Sequence, residues 1–108
     1  MELTDDQASA FWPVYREYRN EQAPAGDRLV DLILGYANQV GTISNEYAEQ
    51  MLEDYLDIQS DVLDTKKKYV DRFKRVLPAM LVARFYQIEN KLDAVVMMDL
   101  AMSVPVLQ

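Results

Sequence analysis

Residues 45–77, NEYAEQMLEDYLDIQSDVLDTKKKYVDRFKRVL, cover nearly a third of a 108-residue chain without a glycine or a proline. Within them Tyr47, Met51, Tyr55, Ile58, Val62, Tyr69, Phe73 and Val76 recur at the three- and four-residue steps that line one side of an α-helix, with Lys66 keeping the phase between Val62 and Tyr69. A helix of this length measures roughly 48 Å at 1.5 Å per residue. A compact chain of the same size has a radius of gyration of only ~13 Å. The molecule is therefore expected to be elongated, and Ser44 stands where it can cap the helix start.

The same period extends towards the N-terminus. Phe11, Tyr15, Tyr18, Gln22, Ala25, Leu29, Leu32 and Tyr36 alternate steps of four and three, and the stripe passes through Gln22-Ala23-Pro24-Ala25-Gly26 in phase. An interior proline removes a backbone bond and costs ~3 kcal/mol, so this segment reads as one kinked helix with a smaller distortion at Pro13 and fraying near Asn38. Gly41 and Thr42 make the turn.

Beyond residue 77, Pro78 suits the first position of a further helix. Its stripe is Leu81, Phe85, Ile88, Leu92, Val95, Asp99 and Met102, and Pro105 should end it. Val106-Leu107-Gln108 is too short to fold alone, though Val106 and Leu107 suit docking on a neighbour. The expected fold is all-α and a single domain over residues 1–108: an elongated bent helical hairpin of three to four helices with one long central helix.

Composition narrows the chemistry. The chain has no Cys, which excludes disulfides and thiol catalysis, and no His, which removes the commonest general base and transition-metal ligand. No catalytic residue, cofactor or metal site is expected. Four carboxylates at 54, 57, 61 and 64 have neither loop carbonyls nor a Glu-x-x-His pattern beside them. No run of 18 apolar residues occurs, so membrane insertion is not expected.

Charge is segregated. Residues 1–64 carry 14 acids and 3 bases, whereas residues 65–108 carry 4 acids and 8 bases, within a net charge of −7. The 45–77 segment has Glu46, Glu49, Glu53, Asp54, Asp57, Asp61 and Asp64 in its first part and Lys66, Lys67, Lys68, Arg72, Lys74 and Arg75 in its second, an order that complements the helix dipole. One expectation is a homodimer in which two copies of this helix pack antiparallel, acidic half against basic half. "KKKYVDRFKR" interleaves bases with Tyr69 and Phe73, but both aromatics fall on the apolar stripe and the overall acidity opposes phosphate contact, so nucleic acid is not an expected partner.

At the N-terminus, Leu3-Thr4-Asp5-Asp6-Gln7 reads as a capping box: the Thr4 hydroxyl accepts from the Gln7 N–H while the Gln7 amide reaches back to Thr4. Asp5 and Asp6 lie at the positive end of the helix dipole, and Leu3 packs back onto the first turns. Taken with Phe11-Trp12-Pro13-x-Tyr15, then Leu77-Pro78 and Arg84-Phe85-Tyr86-Gln87-Ile88-Glu89-Asn90-Lys91, this LTxxQ box resembles the Spy/CpxP-like LTxxQ family of small periplasmic helical proteins, over nearly the whole chain.

The resemblance implies a bent helical hairpin paired into a cradle-like dimer and a periplasmic location after removal of a signal peptide. It also implies one of two roles: an ATP-independent chaperone or stress-adaptor for partly folded proteins, or a signalling module restraining an envelope-stress sensor. Two features depart from it. The place of a second LTxxQ box reads Leu77-Pro78-Ala79-Met80-Leu81, which matches only the leucine, and the chain is acidic where well-known chaperone members present a basic concave surface. The metal-sensing branch is commonly His-rich, which this chain is not. The candidate client- or partner-binding residues are Tyr15, Tyr18, Met51, Tyr55, Tyr69 and Phe73, since Met and Tyr accommodate varied surfaces. Leu3, Thr4, Gln7, Leu77 and Pro78 are the motif residues with structural roles.

Overall fold

The computed structural model describes residues 2–39 and 41–103, and their regular structure is entirely helical: α1 (Asp5–Asn38), α2 (Asn45–Lys74) and α3 (Ala79–Ser103). The capping box opens α1, with the Gln7 N–H donating to Thr4 Oγ1 at 3.2 Å and the Thr4 N–H donating to Gln7 Oε1 at 3.0 Å. Ser44 caps α2 by accepting from the Tyr47 N–H at 3.1 Å. Between the two helices, Gly41 adopts a φ of +91°, a left-handed conformation that any side chain would strain.

α1 is one helix of 34 residues, longer than the 30 of α2, and it continues across both Pro13 and Pro24. The residues whose carbonyls these prolines leave without an intrahelical donor, Ser9 and Asn20, are exposed, so water can take the bond. A fourth helix is thus not present among the described residues, and the long central helix has a still longer neighbour.

α1 and α2 form an antiparallel hairpin, and α3 runs back along α2 on one of its sides. The particle measures 55 × 22 × 18 Å with a radius of gyration of 17.2 Å, well above the ~13 Å of a compact chain. The core lies at the end of the hairpin away from Gly41 and is mostly aromatic. Phe73 is wholly buried at its centre, with ring centroids of Phe85 at 4.8 Å, Phe11 at 5.6 Å and Tyr18 at 5.7 Å. Edge-to-face and tilted pairs of this kind add about 0.5–1.5 kcal/mol each beyond area burial. Leu77 and Val82 close the cluster, with Leu3 packed against it from the N-terminus.

Two junction details depart from the sequence reading. α2 ends at Lys74, because the N–H groups of Val76 and Leu77 both bond the Phe73 carbonyl and tighten the chain into a turn. Pro78 precedes α3 as its cap, its carbonyl accepting from Leu81 and Val82.

The α3 seam is also rotated from the expected stripe. Leu81 and Phe85 of that stripe meet the core as expected, but the other residues turned to the hairpin are Val82, Tyr86, Glu89 and Asp93, whereas Ile88, Leu92 and Val95 are exposed. The Tyr86 hydroxyl donates to the Lys66 carbonyl at 2.7 Å, and Lys66 Nζ reaches Asp93 Oδ2 at 3.3 Å, fixing that rotation. The expected stop at Pro105 and the docking of Val106 and Leu107 lie outside the described residues.

Candidate protein-binding groove

The hairpin's charges pair across its two helices at the core end, whereas acids outnumber bases at the other. Antiparallel packing sets Glu17 and Glu21 of α1 opposite Arg72 and Lys68 of α2, and ion pairs form at both levels. The Glu21 carboxyl is held below the usual carboxylate range by the Lys68 ammonium and then by the Tyr69 hydroxyl. Lys66 is engaged by Asp93 and Asn90 of α3. Three bases of this half of α2, Lys66, Lys68 and Arg72, therefore answer acids of their own chain. Towards the Gly41 turn the balance changes: residues 27–64 hold nine acids and the single base Arg28, which pairs with Asp61.

α3 seals only the core end. Farther along, a groove of about 490 Å³ opens between the hairpin and the second half of α3, with Gly26 and Val30 of α1, Gln59 and Val62 of α2, and Val96 of α3 among its walls. Val96 is on the hairpin-facing side by helical spacing, two turns beyond Glu89, yet remains 58% exposed. At the groove's inner end Gln22 bridges the hairpin, its Nε2 donating to Tyr18 Oη at 3.3 Å and to the Val62 carbonyl at 3.4 Å.

Glu89 is buried beside this end, with Arg19 Nη1 3.4 Å from its Oε2. Burial raises the Glu89 pKa against the attraction of Arg19, and Asp93 pushes in the same direction as burial. Burial likewise raises Tyr18 and Tyr86. The groove thus has polar groups at its inner end and a mainly apolar lining beyond, interrupted by Asp27 and Gln59.

The apolar character continues out of the groove. Leu52, Leu56, Gln59 and Leu63 lie at steps of four, three and four on one face of α2, so the groove residue Gln59 belongs to a stripe whose three leucines are all about half exposed or more. On α1, Val30 is followed one turn later by the exposed Leu34. On the opposite side of the hairpin, a smaller cleft of about 360 Å³ has Arg28, Asp31, Asp54 and Asp57 in its walls.

The six candidate contact residues separate by burial. Tyr18, Tyr69 and Phe73 are buried in the aromatic core where three helices converge, and Tyr18 also lines the groove. Tyr15 and Met51 are half-buried, and Tyr55 is exposed. Of the motif residues, Thr4 and Gln7 form the capping box, Leu3 and Leu77 belong to or border the core, and Pro78 caps α3. Sequence reasoning missed Val30, Leu52, Leu56, Leu63 and Val96, whose signal was their being apolar while off the seam. Among the described residues no group of acidic side chains is arranged to hold a metal ion, and no helix is long and apolar enough to cross a membrane.

The chain matches no family model, no curated protein and no solved structure. Its likeness to the Spy/CpxP-like proteins rests on the residues quoted above.

Proposed function

We propose that the chain binds partly folded proteins as an ATP-independent chaperone or stress-adaptor of the Spy/CpxP-like type, working in the periplasm. The observation that carries this reading is the open apolar groove between the hairpin and the second half of α3, continued on α1 and α2 by exposed aliphatic side chains. Soluble monomers rarely leave a contiguous surface of this kind without a partner. Contact through it is weak and reversible, because each side chain contributes little and no nucleotide cycle drives release.

A homodimer fits the stripe Ile88, Leu92 and Val95, which has helix spacing, is exposed, and lies on a helix of nearly balanced charge. A second reading draws on the fixed polar pairs at the groove's inner end, Arg19 with Glu89 and Lys66 with Asp93. Arg19 and Asp93 stay about half exposed in these pairs, so a partner seated there must match their charges, as an adaptor selecting one sensor domain requires.

The deciding experiment is light scattering of two unrelated, chemically unfolded proteins diluted into buffer with and without the chain. Suppression of both supports the chaperone. Indifference to both, with tight binding of a single sensor domain, supports the adaptor, and indifference without such binding rejects both.

A further inference from the structure

Resting on the reading of the groove as protein-binding, we propose that its occupant is a cationic amphipathic helix: a segment with an apolar stripe flanked by Lys or Arg.

The exposed aliphatic residues of the acidic half do not stand alone. On α1, Asp27 precedes Val30 by three residues and Asp31 precedes Leu34 by three. On α2, Glu49 and Glu53 stand in the same relation to Leu52 and Leu56. Residues three apart are neighbours on a helix surface, so each of these apolar side chains has a carboxylate beside it. Among the described residues none of the four carboxylates takes part in an ion pair, and all four are exposed. A partner that covers the aliphatics must meet the acids as well. Only one that brings cations next to its apolar contacts does so without setting like charges together.

This charge requirement decides between occupants. A second copy would bring nine acids and one base if the two acidic halves met, and in its basic half Lys66, Lys68 and Arg72 are already engaged by acids of their own chain. An anionic lipid surface or a nucleic acid is repelled for the same reason. The chain's last residues, 104–108, contain no base. From Leu52, on the stripe leading out of the groove, to Lys66 in its wall, α2 runs for roughly 21 Å, the length of a docked helix of about 14 residues.

The test uses the intact chain and three labelled peptides of about 16 residues, read by fluorescence anisotropy. The first has a Leu stripe flanked by Lys, the second carries Glu in place of each Lys, and the third is a scramble of the first that keeps its composition but has no stripe. The first peptide is expected to bind, with affinity falling as salt rises, and the other two at least about tenfold more weakly. Val30→Ser with Leu56→Ser should weaken the first peptide about tenfold, and Asp27→Asn with Glu53→Gln should weaken it and flatten its salt dependence. All four positions are exposed, so circular dichroism and melting should match the parent.

Equal binding of the three peptides, or no effect of the Val30 and Leu56 substitutions, overturns the proposal. A chain that suppresses aggregation but treats the Lys and Glu peptides alike keeps its proposed function and loses this inference. A chain that selects the Lys peptide but suppresses nothing keeps this inference and loses the chaperone reading.

Discussion

The phenol of Tyr69, wholly buried, donates to Glu21 Oε1 at 2.8 Å, and the same carboxylate accepts from Lys68 Nζ at 3.0 and 3.1 Å. One exposed acid of α1 thus fastens both a core ring and a surface base of α2, at the level where the aromatic core gives way to the open half of the hairpin.

Tyr69→Phe keeps the ring and removes the donor. Chemical denaturation at neutral pH should show a loss of about 1 kcal/mol, the net worth of one such hydrogen bond. Burial, then the hydrogen bond to Glu21 and its charge, push the Tyr69 hydroxyl up to about 12, whereas an unfolded tyrosine loses its proton near 10. Between those values the folded state holds the extra proton, so stability falls as pH rises. The parent should therefore lose stability more steeply than the Phe variant from about pH 10 upwards, and parallel curves would disprove the assignment.

Glu89→Gln should behave in the opposite way to the removal of a useful ion pair. Burial raises the Glu89 carboxyl above its ordinary value, so the folded state binds its proton more tightly than the unfolded chain does. Ionising it in place therefore costs stability as pH rises through the unfolded and then the folded value. Asp93, Lys66 and Arg19 all face it, and the largely exposed Arg19 compensates only in part. The Gln variant should match the parent at acid pH and exceed it at neutral pH in urea midpoint. A lower midpoint at neutral pH would mean that the Arg19 pair outweighs the burial of the charge.

Helix starts and the hairpin turn were legible because each depends on a few adjacent residues. Thr4 with Gln7, Ser44 and Gly41 do what their neighbours require. The α1 and α2 seams were legible because their aromatic and aliphatic residues hold a single phase. α3 was not, because it is apolar on several sides. Leu81 and Phe85 of the expected stripe do meet the core, but beyond them Ile88, Leu92 and Val95 continue it as well on paper as Tyr86, Glu89 and Asp93, and only partners distant in sequence, Lys66 and Arg19, select the second path. The groove was illegible for the same reason, since it exists where α3 fails to cover α1 and α2.

Thr4→Ala removes the acceptor for the Gln7 N–H and should lower stability by about 0.5–2 kcal/mol, with helical content otherwise retained by circular dichroism. Because Leu3 packs on the aromatic core directly before this cap, the loss should appear in the single cooperative transition and not as local fraying. An unchanged midpoint would remove any structural role from the box.

The last prediction separates two uses of charge and apolar surface on α2 and α3. If two copies meet across a two-fold axis at Ile88, Leu92 and Val95, each substitution there acts twice. Ile88→Lys with Val95→Lys then sets four ammonium groups near one axis. Sedimentation should show dimer giving way to monomer, with melting little changed because both side chains are exposed in the monomer. Reversing Lys66, Lys67 and Lys68 to Glu should do the converse. It breaks the pairs of Lys66 with Asp93 and of Lys68 with Glu21, so the monomer should melt earlier while association is retained. Each exposed pair contributes only ~0–1 kcal/mol, but the reversal also sets like charges against Glu21 and Asp93, and added salt should recover part of the loss. If the lysine reversal abolishes association and the α3 substitutions do not, the two copies meet along α2 after all, and the basic half of that helix serves its partner as well as its own chain.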